Sequence, residues 1–163
     1  MPSLARTALR FLGLALLAVV LLIGVAASGL WIAGGRRLAA AHTAPDHPLV
    51  IATDAVDLAE GERLATFWGC LGCHERNGGG GIFFESRLGD RLVAPNLTRV
   101  VREYSPAELE RAVRHGVRRD GSSLVVMPSS MFAGMSDRDL GKVIGYLRSL
   151  PPVPDSLPPT RLG

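Results

Sequence analysis

Hydrophobic residues form one long unbroken run near the N-terminus and shorter periodic segments farther along the chain. The run extends from Phe11 to Ala33 and contains no charged residue. As a helix, its roughly 23 residues extend about 34 Å, which is enough to cross the hydrocarbon core of a bilayer. A cleaved signal peptide is the alternative, but its apolar region is usually only about 7–15 residues long. We predict an uncleaved transmembrane anchor within residues 1–33.

Three later segments place hydrophobic residues at helical spacing, with polar residues between them. The first covers residues 57–69. The second opens at Ser105, where Glu108 completes a capping box. The third begins after Ser136 and ends at two consecutive prolines, which cannot continue a helix. The pattern predicts an all-α domain of residues 57–153 with irregular connections.

The segments that flank this domain lack helical periodicity. Residues 34–56 contain glycines and prolines and are predicted to be a linker, in which His42 and His47 are solvated. Within it, residues 49–51 form either a short strand or a segment that packs against the domain. Residues 154–163 are rich in proline, and we predict an extended tail.

Four consecutive glycines, residues 78–81, follow the first predicted helix and predict a flexible loop. They lack the Lys-Ser/Thr pair and the preceding strand of a phosphate-binding loop. The apolar residues 82–84 come next and predict either a short strand or a flap.

The distribution of charge argues against binding to nucleic acid. The chain has a formal net charge of +3 and a pI near 9.4. Four arginines that flank the apolar run account for this excess: Arg6, Arg10, Arg36 and Arg37. From Leu38 onward, acidic residues outnumber basic ones by one. The basic total therefore indicates a membrane segment, and we expect no nucleic-acid partner.

The only two cysteines lie in the pentapeptide Cys70-Leu71-Gly72-Cys73-His74. This is the Cys-x-x-Cys-His pattern of c-type haem attachment. Each cysteine can form a thioether to one haem vinyl group, and the adjacent histidine is carried under the iron. We predict that Cys70 and Cys73 hold one covalent haem c and that His74 is an iron ligand.

Other uses of the pentapeptide fit the sequence less well. A structural zinc needs four ligands, and outside the pentapeptide the remaining histidines are His42, His47 and His115. A thioredoxin-type cysteine pair opens a helix after a strand, whereas this pair follows a helical pattern. A plain disulfide is the remaining alternative.

The second iron ligand of an electron-carrying haem is usually Met or His. The candidates are Met127, Met131, Met135 and His115. Pro128 pushes Met127 into extended geometry, from which its side chain can reach the iron. Met131 and Met135 have the spacing of core residues beside Phe132. A cationic side chain in the last turn of a helix suits the helix dipole, and we assign His115 that role. We favour Met127.

The chain resembles class I c-type cytochromes over residues 57–153. The features that carry the resemblance are the pentapeptide, Pro95-Asn96-Leu97, Met127-Pro128 and the C-terminal run from Met135 to Val153. Ala94–Thr98 and the C-terminal run particularly resemble the cytochrome subunits of membrane alcohol and aldehyde dehydrogenases. Those subunits usually carry three such domains, whereas this chain carries one.

The resemblance implies a small helical fold around one covalent haem, in which the first and last helices pack together and place Gly61 or Leu64 near Tyr146. It also implies that the Pro95 carbonyl accepts a hydrogen bond from the second ring nitrogen of His74. The haem propionates have several candidate partners, between which the sequence does not choose: Arg87, Arg91, Arg118 and Trp68.

The function that the resemblance implies is electron transfer rather than catalysis. The expected redox partners are a dehydrogenase, a quinol-oxidising complex or a terminal oxidase. Since haem attachment in such bacterial cytochromes occurs in the periplasm, we expect a single-pass inner-membrane protein with its haem domain outside. The alternative is a haem-based gas or peroxide sensor, or a small haem enzyme, in which the distal ligand is labile.

Overall fold

The computed structural model describes residues 2–162. The chain divides into two compact units, with the boundary between Ala40 and Ala41. The first unit is one long helix, α1 (Pro2–Ala39). Its segment from Arg6 to Arg37 is long and apolar enough to cross a membrane, and an 18-residue stretch within it has a mean hydropathy of 2.7. The helix continues past the predicted anchor boundary at Ala33, because Gly34 and Gly35 do not break it. The predicted linker therefore starts inside α1.

The second unit is mostly helical. Its helices are α2 (Ala55–Phe67), α3 (Cys70–Cys73), α4 (Leu97–Glu103), α5 (Pro106–His115), α6 (Ser129–Phe132) and α7 (Asp137–Ser149). Two antiparallel strands, β1 (Gly81–Glu85) and β2 (Arg91–Ala94), form a hairpin between α3 and α4. The predicted helical domain is confirmed, and of the two structures considered for residues 82–84 the strand is the one found.

The first and last helices of this unit, α2 and α7, pack closely together, as the resemblance implies. The crossing point is at Gly61, where a side chain would overlap the backbone carbonyl of Lys142 and lie 2.9 Å from Tyr146 Cβ. The Lys142 side chain also forms an ion pair with Asp57 of α2 at 2.7 Å. A glycine at the crossing therefore allows the two helix backbones to approach each other.

The segment before α2 also packs against α7. Leu49 is buried in the core, and the carbonyl oxygens of Val50 and Ala52 lie against Gly141 and Gly145. Of the two structures considered for residues 49–51, the packed segment is the one found. This part of the predicted linker belongs to the compact unit because its backbone covers two glycines of α7.

Polar caps set the starts of three helices. Asp54 caps α2 by accepting a hydrogen bond from the backbone of Asp57, so this helix begins two residues before its predicted start. The predicted capping box of Ser105 and Glu108 is present at α5. The Ser136 side chain caps α7 by accepting a hydrogen bond from the Asp139 backbone, and Leu150 ends the helix in extended geometry before the prolines.

Candidate functional site

The two cysteines lie on a single helical turn, α3, directly after α2. Gly69 separates the two helices and adopts a left-handed conformation, with φ of 76°. This backbone conformation strongly favours glycine and redirects the chain at the end of α2. Neither Cys70 nor Cys73 forms a disulfide; Cys73 is exposed, and Cys70 is half-buried against the core. Burial raises the pKa of the Cys70 thiol above its ordinary value.

His74 follows α3 and makes one well-defined hydrogen bond through its ring. Nδ1 lies 2.8 Å from the carbonyl oxygen of Pro95, which is the contact that the resemblance implies. A carbonyl oxygen only accepts hydrogen bonds, so Nδ1 carries the ring proton and Nε2 keeps its lone pair. Burial lowers the pKa of His74, and the hydrogen bond to Pro95 partly opposes this shift. The neutral imidazole is the form that ligates a metal.

The glycines after the pentapeptide hold the Pro95 segment against His74. The Gly80 amide donates to the His74 carbonyl oxygen at 2.9 Å, and the Leu97 amide donates to Gly78 at 2.7 Å. Gly78 and Gly80 have positive φ, and a side chain at Gly80 would overlap the backbone of Ala94 and Pro95. The predicted loop ends one residue early, because Gly81 begins β1, and the close approach of backbones at Gly80 leaves no room for a side chain there. The flexibility of residues 78–80 stays a prediction.

The candidates for the second ligand occupy different environments. Met127 lies in the loop before α6 and is half-buried against the core. Met135 is buried, with 5% of its surface exposed, as expected for a core residue. Met131 is 61% exposed on α6, so its predicted core packing is wrong. His115 lies in the last turn of α5, where its Nε2 is 3.7 Å from Glu110.

Comparison with known proteins identifies the family. A sequence model of the family described as cytochrome c oxidase, cbb3-type, subunit III, matches residues 56–147. This match covers more than half of the chain. The chain belongs to this family of c-type cytochrome domains. Its cofactor is therefore covalently bound haem c, as the pentapeptide predicts.

Curated relatives of this cytochrome include subunits of dehydrogenases. The cytochrome c subunit of the quinone alcohol dehydrogenase of Gluconacetobacter polyoxogenes is 32% identical over 116 residues, which are 64% of this chain and 25% of that protein. The gluconate 2-dehydrogenase cytochrome c subunit of Pantoea cypripedii is 33% identical over 103 residues, 58% of this chain and 23% of that protein. The fructose dehydrogenase cytochrome subunit of Gluconobacter japonicus is 27% identical over 128 residues, 72% of this chain and 26% of that protein. The chain thus spans about a quarter of the length of these relatives, and the predicted resemblance to dehydrogenase cytochrome subunits is confirmed.

The donor set of the cytochrome fits haem c. It offers two free thiols on one turn and, on the next residue, an imidazole nitrogen with an available lone pair. Within residues 2–162, no three His, Cys, Asp or Glu side chains come together as a metal-ion site.

Aromatic side chains next to the cysteines extend the apolar surroundings of the site. The Trp68 ring packs edge-on against Phe67 and Phe132, with centroid distances of 5.6 and 6.1 Å. Trp68, Met127 and Cys70 all pack against the same hydrophobic core. This shared apolar environment suits a large, mostly apolar macrocycle.

Two of the arginines considered for the propionates already have partners in the protein. Arg91 pairs with Glu85 across the hairpin at 2.5 Å. Arg118 donates to the Ser123 carbonyl oxygen at 2.5 Å and to the Ser122 hydroxyl at 3.2 Å, within the loop that leads to Met127. Arg118 therefore braces this loop whether or not it also binds a propionate.

Proposed function

We propose that the chain is a membrane-anchored, monohaem electron carrier in which Cys70 and Cys73 hold the haem through thioethers and His74 is the proximal iron ligand. The observation that carries this assignment is the hydrogen bond from His74 Nδ1 to Pro95. It leaves Nε2 as the metal-binding atom and restrains the plane of the ring. A hydrogen bond to the remote nitrogen of a ligating histidine also raises the basicity of the ligand.

We assign the distal iron bond to Met127. Its place in an irregular loop before Pro128 and its half-buried side chain support this choice. Met131 points largely into solvent, and Met135 is used by the core. His115 already lies beside Glu110 at the end of α5. A thioether ligand would favour the ferrous state and raise the reduction potential.

Haem c supplies a one-electron ferric–ferrous couple when it is bound. The protein's part is to fill both axial positions, from His74 and Met127, and to shield the site with apolar side chains such as Trp68. With both positions filled, there is no open coordination site for substrate chemistry. We therefore propose a carrier rather than an enzyme.

The apolar helix α1 supports a single-pass anchor, and the haem domain would lie in the periplasm. The functional unit would be residues 57–153, carried on the membrane by the segments before it. Tethering confines the domain to the membrane surface and raises its effective concentration near membrane-bound partners. A dehydrogenase is the partner that the relatives favour, because those three relatives are named as dehydrogenase cytochrome subunits. A quinol-oxidising complex and a terminal oxidase are the other redox partners.

The proposal is tested by producing the full chain in a bacterium that attaches haem c, and by separating membrane and soluble fractions. We expect haem that survives denaturing electrophoresis, in the membrane fraction, in a low-spin form that does not bind carbon monoxide rapidly. Reduction by a membrane dehydrogenase and reoxidation by an oxidase should follow in reconstituted membranes. A high-spin haem that binds carbon monoxide rapidly would instead indicate a sensor or a small haem enzyme.

A further inference from the structure

A closed set of hydrogen bonds joins the Pro95 segment to Val153, the residue just before the C-terminal tail. The Asn96 side-chain amide donates to the Val153 carbonyl oxygen at 2.8 Å. The Thr98 hydroxyl donates to Asn96 Oδ1 at 2.6 Å and accepts from the Val153 amide at 3.0 Å. We call these three residues, Asn96, Thr98 and Val153, the tail clasp.

Two members of the clasp, Asn96 and Thr98, are buried, and all three members pair with one another. Asn96 and Thr98 are 1% and 2% exposed, so water does not replace a lost partner easily. The Thr98 hydroxyl uses its donor and one acceptor position within the clasp. These hydrogen bonds join Val153 to Asn96 and Thr98, which lie 57 and 55 positions earlier in the chain. The clasp therefore holds the α4 start in one place relative to the end of α7.

The position of the clasp connects it with the proximal histidine. Asn96 directly follows Pro95, and the carbonyl of Pro95 shares one planar peptide unit with the Asn96 nitrogen. Fixing Asn96 therefore fixes the direction of the Pro95 carbonyl. That carbonyl is the acceptor for His74 Nδ1 at 2.8 Å.

We propose that Asn96 and Thr98 are positioning residues that set the strength of the hydrogen bond between His74 and Pro95, with the tail from Val153 as their fixed support. This inference rests on the proposed role of His74 as the proximal ligand. A stronger bond at Nδ1 gives the imidazole more anionic character, which stabilises the ferric state and lowers the reduction potential. Loosening the clasp raises the potential.

The test compares Thr98→Val, which removes both hydroxyl contacts while keeping the shape of the side chain, with Thr98→Ser, which keeps the hydroxyl. The readout is solvent exchange of the His74 Nδ1 proton, followed by NMR in the reduced, haem-loaded full chain labelled with 15N-histidine. We expect exchange to accelerate by about tenfold or more in Thr98→Val, and Thr98→Ser to restore slow exchange. Spectroelectrochemistry should show a higher potential for Thr98→Val alone.

Thr160→Val is the matched control. The Thr160 hydroxyl accepts from the Val93 amide at 3.1 Å, so this variant also removes a contact between the tail and the hairpin, but outside the clasp. We expect its exchange and potential to equal those of the wild type. Exchange that accelerates equally in Thr160→Val and Thr98→Val would overturn the inference, because any loosening of the tail would then suffice.

A second variant keeps the test decisive where Thr98→Val does not fold. Asn96→Asp retains an acceptor for Thr98 but removes the donor to Val153, and we expect the same faster exchange. Unchanged exchange and potential in the folded variants would overturn the inference while leaving His74 as the ligand. If the wild type shows no iron-bound His74 at all, the proposed ligand assignment fails as well, so the two failures are distinct.

Discussion

The His74 ring nitrogen Nδ1 lies 2.8 Å from the carbonyl oxygen of Pro95, a residue 21 positions farther along the chain. The polypeptide alone therefore selects the ring tautomer and leaves Nε2 for a metal. Gly78 and Gly80 support this contact, because the Leu97 amide donates to the Gly78 carbonyl oxygen and the Gly80 backbone lies directly against Ala94 and Pro95. The packing of the backbone therefore sets the orientation of the His74 ring.

Replacing the cysteines tests whether they attach the haem covalently. In Cys70→Ala or Cys73→Ala, only one thioether can form, and the double variant should lose all haem that survives denaturing electrophoresis. Haem staining of the gel, with the pyridine haemochrome spectrum, measures both outcomes. Gly72→Ala is the matched control, since a side chain there would meet nothing within 4 Å. Covalent haem in the double variant would contradict the assignment.

Gly61→Ala should destabilise the haem domain by about 1–3 kcal/mol, because the new methyl group would overlap the Lys142 carbonyl at the α2–α7 crossing. Thermal or denaturant unfolding of the haem-loaded protein measures the change. Gly134→Ala is the control, since a side chain there would lie in open space, and we expect a change within about 0.5 kcal/mol. Equal stability of the two variants would show that the helices do not need this close approach.

Local signals in the sequence predicted the capping box of α5 and the Ser136 cap of α7 well, because both depend only on residues three positions apart. Helix α4 and the hairpin were harder to predict. Helix α4 has seven residues, of which only Thr98 and Val101 are buried, so no apolar stripe marks it. Its position depends instead on contacts with Val153, far away in the sequence.

The site shows the same division between local and distant signals. The pentapeptide alone predicts the haem-binding residues, because the chemistry requires their spacing. The environments of the methionines depended on tertiary packing: the regular spacing of Met131 and Met135 suggested a shared buried face, whereas the turn after α6 buries only Met135. The resemblance included Asn96 and Thr98, but nothing in the sequence predicted that they pair with Val153, because these contacts join residues more than 50 positions apart.

The Glu108 carboxylate should contribute stability that is lost in acid. The hydrogen bond that the carboxylate accepts from Arg119 is the largest cause of a lowered pKa, and the one from the Ser105 backbone is the next. Together they lower the pKa of Glu108 from 4.5 to about 2. Because the folded-state pKa is the lower one, the stabilisation is complete above pH 4.5 and disappears as the pH falls toward 2. The melting temperature of the wild type should therefore fall more steeply over this window than that of Glu108→Gln. Arg119→Gln should likewise weaken the dependence of the melting temperature on pH. Identical slopes in all three proteins would contradict this account.

The measurement that tests the central claim most directly is the absorption spectrum of the oxidised, haem-loaded full chain, including the weak near-infrared band of a sulfur–ferric iron bond. Ligation by His74 and Met127 predicts a low-spin spectrum with this band, its loss in Met127→Ala, and its retention in Met131→Ala, whose side chain is largely exposed. A high-spin spectrum of the wild type, or a band that persists in Met127→Ala, would contradict the account.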